Sequence, residues 1–211
     1  MKYINQKALE LATVKEDPFP YITIPSLLSE EHLTMLCREF PSIKQGGSFP
    51  LNAVDCKGIF KELIEELHSN DLRQIIGQKL GMDLSQRPPV VTLRGFSRQK
   101  DGKIHTDSKS KCVTVLIYFN LDWNEKTGNL RILNSGDSLE DYREEVPSTA
   151  GTCLIFKVTE NCWHGYHPFE GERQSIQLNY VVNAEAAKHQ EKKHRFSAAF
   201  KALRRFLGVS S

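Results

Sequence analysis

Apolar residues follow two different periods along this chain. Leu33, Leu36, Cys37 and Phe40 stand at i, i+3, i+4 and i+7, the stripe of a helix with one buried face. Ser29 before them is a natural N-cap. Phe60, Leu63, Ile64 and Leu67 repeat the spacing. Leu72, Ile75, Ile76 and Leu80 repeat it again, in a helix expected to start near Asn70 or Asp71 and to stop at Gly81. Residues 44–56, with Gly46-Gly47 and Pro50, read as loop.

After Pro88-Pro89 the pattern becomes that of strands. Candidates are 90–94, 104–107, 113–120, 129–133, 152–158 and 174–182, separated by turn-rich stretches at 99–102 and 134–137. A short alternating strand at 21–24 stands earlier, fenced by prolines. Many short strands in series predict a barrel or jelly roll, a mainly β fold with flanking helices. From Ala184 helix returns, with Phe196, Phe200, Leu203 and Leu207 on one face. The reading is one domain over 1–211: helical N-terminal support at 1–87, a β core at 88–183 and a basic amphipathic helix at 184–211. No internal repeat interrupts it.

A chain of 211 residues, 39% hydrophobic and 26% charged, can build one full core. A net charge of +2 does not indicate a nucleic-acid binder. The charge is uneven, however. Residues 188–205 hold seven Lys/Arg and one Glu, a net of +6, so the remainder sums to −4. That basic tail is expected either to pack on the domain or on a second subunit, or to make peripheral contact with an anionic membrane surface. The five cysteines are irregularly spaced and include no Cys-x-x-Cys, which argues against a zinc ribbon or thioredoxin-type site. With no apolar signal core at the start and no run long enough to span a bilayer, a reducing cytoplasm is the expected location.

The candidate chemistry lies in two places. One reads Gly102-Lys103-Ile104-His105-Thr106-Asp107; the other runs from Trp163-His164 to Arg173-Gln174-Ser175. Two histidines and one carboxylate from separate segments form a 2-His-1-carboxylate set, which leaves open positions on Fe(II) for a co-substrate and oxygen. His-x-Asp alone is a weak signal, but here it precedes the strongly β-prone run from Val113 to Asn120. On a strand, His105 and Asp107 would point the same way. The second histidine is His164 or His167. Pro168 places His167 in a turn and so favours His164.

Arg173 follows His164 by nine residues and shares a strand face with Ser175, Gln177 and Asn179. That row either faces solvent or lines a pocket. An arginine pairs with a carboxylate in bidentate fashion, and a nearby hydroxyl adds a hydrogen bond. Tyr118 shares its face with Thr114 and Leu116 and could reach the same anion or serve the core.

The order and spacing of these blocks resemble the Fe(II)/2-oxoglutarate-dependent oxygenases, in their prolyl-4-hydroxylase-like branch. The matching blocks are Pro18 to Ile22, His105-Thr-Asp107, Val113 to Trp123, Gly128 to Leu133, Pro147 to Phe156, and Trp163-His164-Gly165 to Arg173-Gln174-Ser175. The resemblance implies a double-stranded β-helix, cupin-like, with N-terminal helices against it. It implies Fe(II) on His105, Asp107 and His164. It implies 2-oxoglutarate held at its far carboxylate by Arg173, with Tyr118 and Ser175 assisting, and ascorbate as the candidate reductant. The implied reaction hydroxylates a C–H bond and releases succinate and CO2.

Two departures stand out. Asn129 replaces a glycine expected beside Gly128, a change that should matter little in a turn. Asn179 stands where a DNA-repair branch carries a second arginine, which argues against nucleobase demethylation. No residue names the substrate. The basic loop from Arg94 to Lys103 reads either as a solvated hairpin or as a rim for an anionic small molecule or saccharide precursor; the resemblance favours a prolyl residue in a protein. A non-catalytic ligand-binding β-helix is the alternative class, and the complete set of four residues favours the enzyme.

Overall fold

The protein is described by a computed structural model covering residues 1–190 and 192. In chain order the elements are α1 (Gln6–Leu11), β1 (Tyr21–Ile24), α2 (Glu30–Arg38), β2 (Phe49–Pro50), a 3-10 turn (Leu51–Ala53), α3 (Gly58–Leu67), α4 (Asn70–Lys79), β3 (Pro89–Ser97), β4 (Lys111–Tyr118), β5 (Leu130–Leu133), β6 (Tyr142–Val146), β7 (Cys153–Lys157), β8 (His164–Gly165) and β9 (Gly171–Val181). The strands form a major sheet in the order β1-β7-β4-β9-β3-β2 and a minor sheet in the order β6-β5-β8. The two antiparallel layers make a double-stranded β-helix.

Period-2 alternation gives the major sheet two working faces. Val113, Val115 and Ile117 of β4, with Ile176, Leu178 and Tyr180 of β9, join the larger core with the helices. Phe60, Leu63, Ile64 and Leu67 of α3 are all buried there, each contributing roughly 1.5–3 kcal/mol of apolar burial. The rings of Phe40, Phe60 and Phe119 lie 5.2–5.6 Å apart and tie α2 and α3 to the end of β4. On the opposite face Tyr118, Leu154 and Phe156 meet Leu130 and Ile132 in a smaller core beneath the minor sheet. The polar row of β9 shares this second face.

The sequence missed several elements. β6 reads as a charged stretch, but its charges are spent in tertiary pairs: Glu144 on Lys15 at 2.5 Å and Glu145 on Arg131 at 2.7 Å. β8 is too short to show a period. α1 buries only Leu9, although Asn5 caps it. The stretch expected as loop holds β2, which pairs with β3. The strand expected at 104–107 is reduced to one bridge, His105 to His164, because the His105 ring takes the Lys103 carbonyl. β1 adds Tyr21–Ile24 to the edge of β7, so the N-terminal region completes the major sheet as well as supporting it.

Helix does resume at 184–190 and 192, where Asn183 Oδ1 accepts from the Ala186 amide at 2.8 Å. The stripe from Phe196 to Leu207 lies outside the described residues. Among the described residues, no helix is long and apolar enough to cross a membrane.

Candidate metal centre and anion pocket

His105 and His164 exchange both backbone hydrogen bonds, each at 3.0 Å, which sets their rings 4.3 Å apart. Each Nδ1 lies 2.8 Å from the carbonyl two residues upstream, of Lys103 and Cys162. A carbonyl only accepts, so both Nδ1 atoms carry the proton and both Nε2 lone pairs are left for the site. The ligand atoms of His105, Asp107 and His164 lie within 4.8 Å of one another. Gly102 makes this approach feasible: its φ is +90°, and a Cβ there would meet the Tyr166 carbonyl at 2.5 Å.

Asp107 is held at both oxygens. Lys111 Nζ reaches Oδ1 at 2.8 Å, and Thr114 donates to Oδ2 at 2.5 Å while also lying 2.9 Å from the Asn179 side-chain amide. Burial alone would raise the Asp107 carboxyl, but the Lys111 ammonium and these hydrogen bonds outweigh it and hold it below the usual carboxylate range. The stability this contributes is present above that range and lost as pH falls through it. Burial, aided by His105, pushes the His164 imidazole down to about 4. Between its ordinary value near 6.5 and about 4, the unfolded chain takes up a proton that buried His164 refuses, so stability falls as pH drops through that window. At neutral pH His164 is a neutral donor, as metal ligation requires.

The second part of the site is built around Arg173, only 5% exposed. Its Nε donates to the Gly128 carbonyl at 2.8 Å and its Nη2 to the Tyr118 hydroxyl at 3.3 Å. Tyr166 stacks its ring 4.3 Å from the guanidinium carbon and shares a 3.0 Å hydrogen bond with Ser97. Ser175 is buried in register with Tyr118. Among the described residues no carboxylate pairs with Arg173. A buried cation without a counter-ion is costly, so this pocket is built for an anion.

The sequence singled out His105, Asp107, His164, Arg173, Tyr118 and Ser175, and the fold gathers them along one face of the sandwich. His167 stays apart, with Nε2 at 2.7 Å from Glu140. Lys111, Thr114 and Tyr166 were missed as site residues. Their signals were faint: a lysine four residues after Asp107, and a tyrosine two after His164. Asn129 does more than fill a turn, since its Oδ1 accepts from Trp123 Nε1 at 2.7 Å and from the Ser148 amide at 3.1 Å. The basic loop is partly neutralised, because Arg98 forks onto Asp101 at 2.8 and 3.1 Å.

A jelly-roll sandwich with two imidazole Nε2 donors, one carboxylate and an uncompensated arginine nearby carries a candidate metal site whose donor set suits non-haem iron. Residues 94–181 match the sequence model of the 2OG-Fe(II) oxygenase superfamily. That stretch contains every site residue above, and over it this chain is similar to a superfamily whose members use Fe(II) and 2-oxoglutarate. It is an Fe(II)- and 2-oxoglutarate-dependent oxygenase.

Solved structures share the fold. A prolyl-4-hydroxylase from Pseudomonas putida is 17% identical, with a TM-score of 0.55 over 76% of this chain and 92% of its own. A viral collagen prolyl hydroxylase from Paramecium Bursaria Chlorella virus-1, solved with 2OG, is 14% identical, with a TM-score of 0.52 over 78% of this chain and 96% of its own. A prolyl 4-hydroxylase from Phytophthora capsici is 17% identical, with a TM-score of 0.51 over 79% of this chain and 60% of its own. No curated protein matches the chain.

Proposed function

We propose that this chain hydroxylates an aliphatic C–H bond of a substrate, with His105, Asp107 and His164 as ligands of Fe(II) and 2-oxoglutarate consumed to succinate and CO2. The observation that carries this reading is the pairing of one donor cluster, its two Nε2 atoms freed by backbone acceptors, with a buried arginine that has no counter-ion. Bound iron supplies the oxygen activation that couples decarboxylation to substrate oxidation. The chain supplies the rest. Arg173 offers its guanidinium to the far carboxylate of 2-oxoglutarate, and Tyr118 donates from the neighbouring strand. Ser175 stands opposite Tyr118 and two residues along β9 from Arg173, on the same face. Tyr166 covers the guanidinium and excludes water from that end. Lys111 and Thr114 fix the rotation of the Asp107 carboxylate.

The substrate carries its target carbon to the side of the centre where His105 is exposed. A small molecule or saccharide precursor is the first reading. The fold shared with prolyl 4-hydroxylases supports a second, a prolyl residue in a peptide. Formation of 4-hydroxyproline in proline-rich peptides separates the two. The shared chemistry is tested without any substrate. With Fe(II), ascorbate and oxygen, the protein should turn 2-oxoglutarate slowly into succinate, and the chelated protein should not. Equal succinate in both would remove the reading.

A further inference from the structure

One arginine on the same face as the site has no carboxylate at ion-pair distance among the described residues. Arg94 of β3 is in register with Ser175 of β9, and Thr92 with Gln177. Cross-strand partners share a face, so Arg94 lies on the side of the sheet that carries Arg173, Ser175 and Tyr118. Its neighbours Val91 and Leu93 point the other way into the larger core. No side chain of β3 joins the small core between the two sheets; the half-buried Arg94 therefore faces space flanking the centre.

Its only hydrogen bond among the described residues runs from Nε to Ser48 Oγ at 2.9 Å. Two other arginines of this region, Arg98 and Arg131, are neutralised. Arg98 forks onto Asp101, and Arg131 pairs with Glu145 at 2.7 Å and Glu140 at 3.0 Å. Arg94 meets no carboxylate at ion-pair distance among the described residues; Asp101 feels its charge from further off but is forked by Arg98, and no hydrogen bond to the two terminal nitrogens of Arg94 is found among the described residues. The co-substrate does not require it. 2-Oxoglutarate has two carboxylates, and the metal centre and Arg173 account for both.

We propose that Arg94 receives an oxyanion carried by the substrate, a carboxylate or a phosphate, and so restricts this oxygenase to anionic substrates. The inference rests on the proposed function above. A guanidinium fork suits either group, through two parallel hydrogen bonds. Ser48 holds Nε and fixes the plane of the fork. The exposed lysines of the loop, Lys100 and Lys103, add only a screened field at the rim.

The test uses the full chain loaded with Mn(II) and 2-oxoglutarate, with inorganic phosphate and acetate as probes. Paramagnetic broadening of the phosphate 31P and acetate 13C signals reports anions held beside the metal. The wild type should broaden at least one of them saturably. Arg94→Gln should weaken that binding by at least about tenfold, the loss expected for a charged hydrogen-bonding partner. Its 2-oxoglutarate affinity and melting temperature should stay unchanged. Lys103→Ala should have little effect. If Arg94→Gln does not fold, Arg94→Lys replaces it, and an intermediate loss is expected because the charge remains while the fork is gone. Three results overturn the proposal: no saturable broadening in the loaded wild type, equal broadening in the Arg94 variant, or a matching loss of 2-oxoglutarate affinity. Wild-type loading is measured first. Its failure counts against the oxygenase reading, whereas normal loading without an anion effect counts against Arg94 alone.

Discussion

His164→Ala is expected to abolish retention of Fe(II), lowering affinity by more than about 100-fold, the loss that even the outer partners of a ligand can cause. His167→Ala should keep most of it. Only two residues separate the two histidines in sequence, and the fold separates their roles. His164 is buried and neutral at pH 7, its Nδ1 tied to the Cys162 carbonyl and its Nε2 turned toward His105 and Asp107. His167 is spent on Glu140 at the minor sheet. Losing it should loosen the Arg131 and Glu140 cluster without reaching the metal. Equilibrium binding of Fe(II), followed under anaerobic conditions for both variants, checks this. Normal iron binding by His164→Ala together with loss in His167→Ala would mean that the ligand set is wrong.

Arg173→Ala should weaken 2-oxoglutarate binding by roughly 2–5 kcal/mol, about 30-fold at the least, and leave Fe(II) affinity nearly intact. The reason is the energetic position of the guanidinium. It is buried against Tyr166 and Tyr118, hydrogen-bonded only to a carbonyl and a phenol, and without a carboxylate among the described residues. The far carboxylate of the co-substrate would supply the missing charge. Tyr118→Phe should act in the same direction by a smaller amount, since it removes one hydroxyl and leaves the charge. Calorimetric titration of 2-oxoglutarate into the metal-loaded variants measures both. Unchanged affinity in Arg173→Ala would remove Arg173 from the co-substrate site.

Much of this architecture was legible because local pattern and tertiary demand agree. Tyr21–Ile24 alternates and forms a strand; Phe60, Leu63, Ile64 and Leu67 repeat at helical spacing and are buried together. The polar row of Arg173, Ser175, Gln177 and Asn179 pointed to one face of a strand, and β9 places it on the face of the site. What stayed hidden depends on partners distant in sequence. Arg143-Glu144-Glu145 shows only a run of charges, with no strand signal, until Lys15 and Arg131 arrive to pair with its glutamates. Lys111 looks like an ordinary turn charge until the chain folds it back onto Asp107. The sequence puts Arg94 at the edge of a basic loop. Only its register opposite Ser175 shows which way it faces. The His105 segment defeats a strand assignment for a local reason, because its own ring takes a carbonyl that a ladder would have used.

The central claim is that one site binds Fe(II) and 2-oxoglutarate together, the metal on His105, Asp107 and His164 and the co-substrate between that metal and Arg173. The most direct measurement is anaerobic titration of 2-oxoglutarate into the Fe(II)-loaded protein, watched in the visible spectrum. Chelation of iron by the keto acid should bring up a weak, saturable metal-to-ligand charge-transfer band that needs both components and is absent with succinate. A protein that takes up Fe(II) yet gives no such band at saturating 2-oxoglutarate would contradict the account.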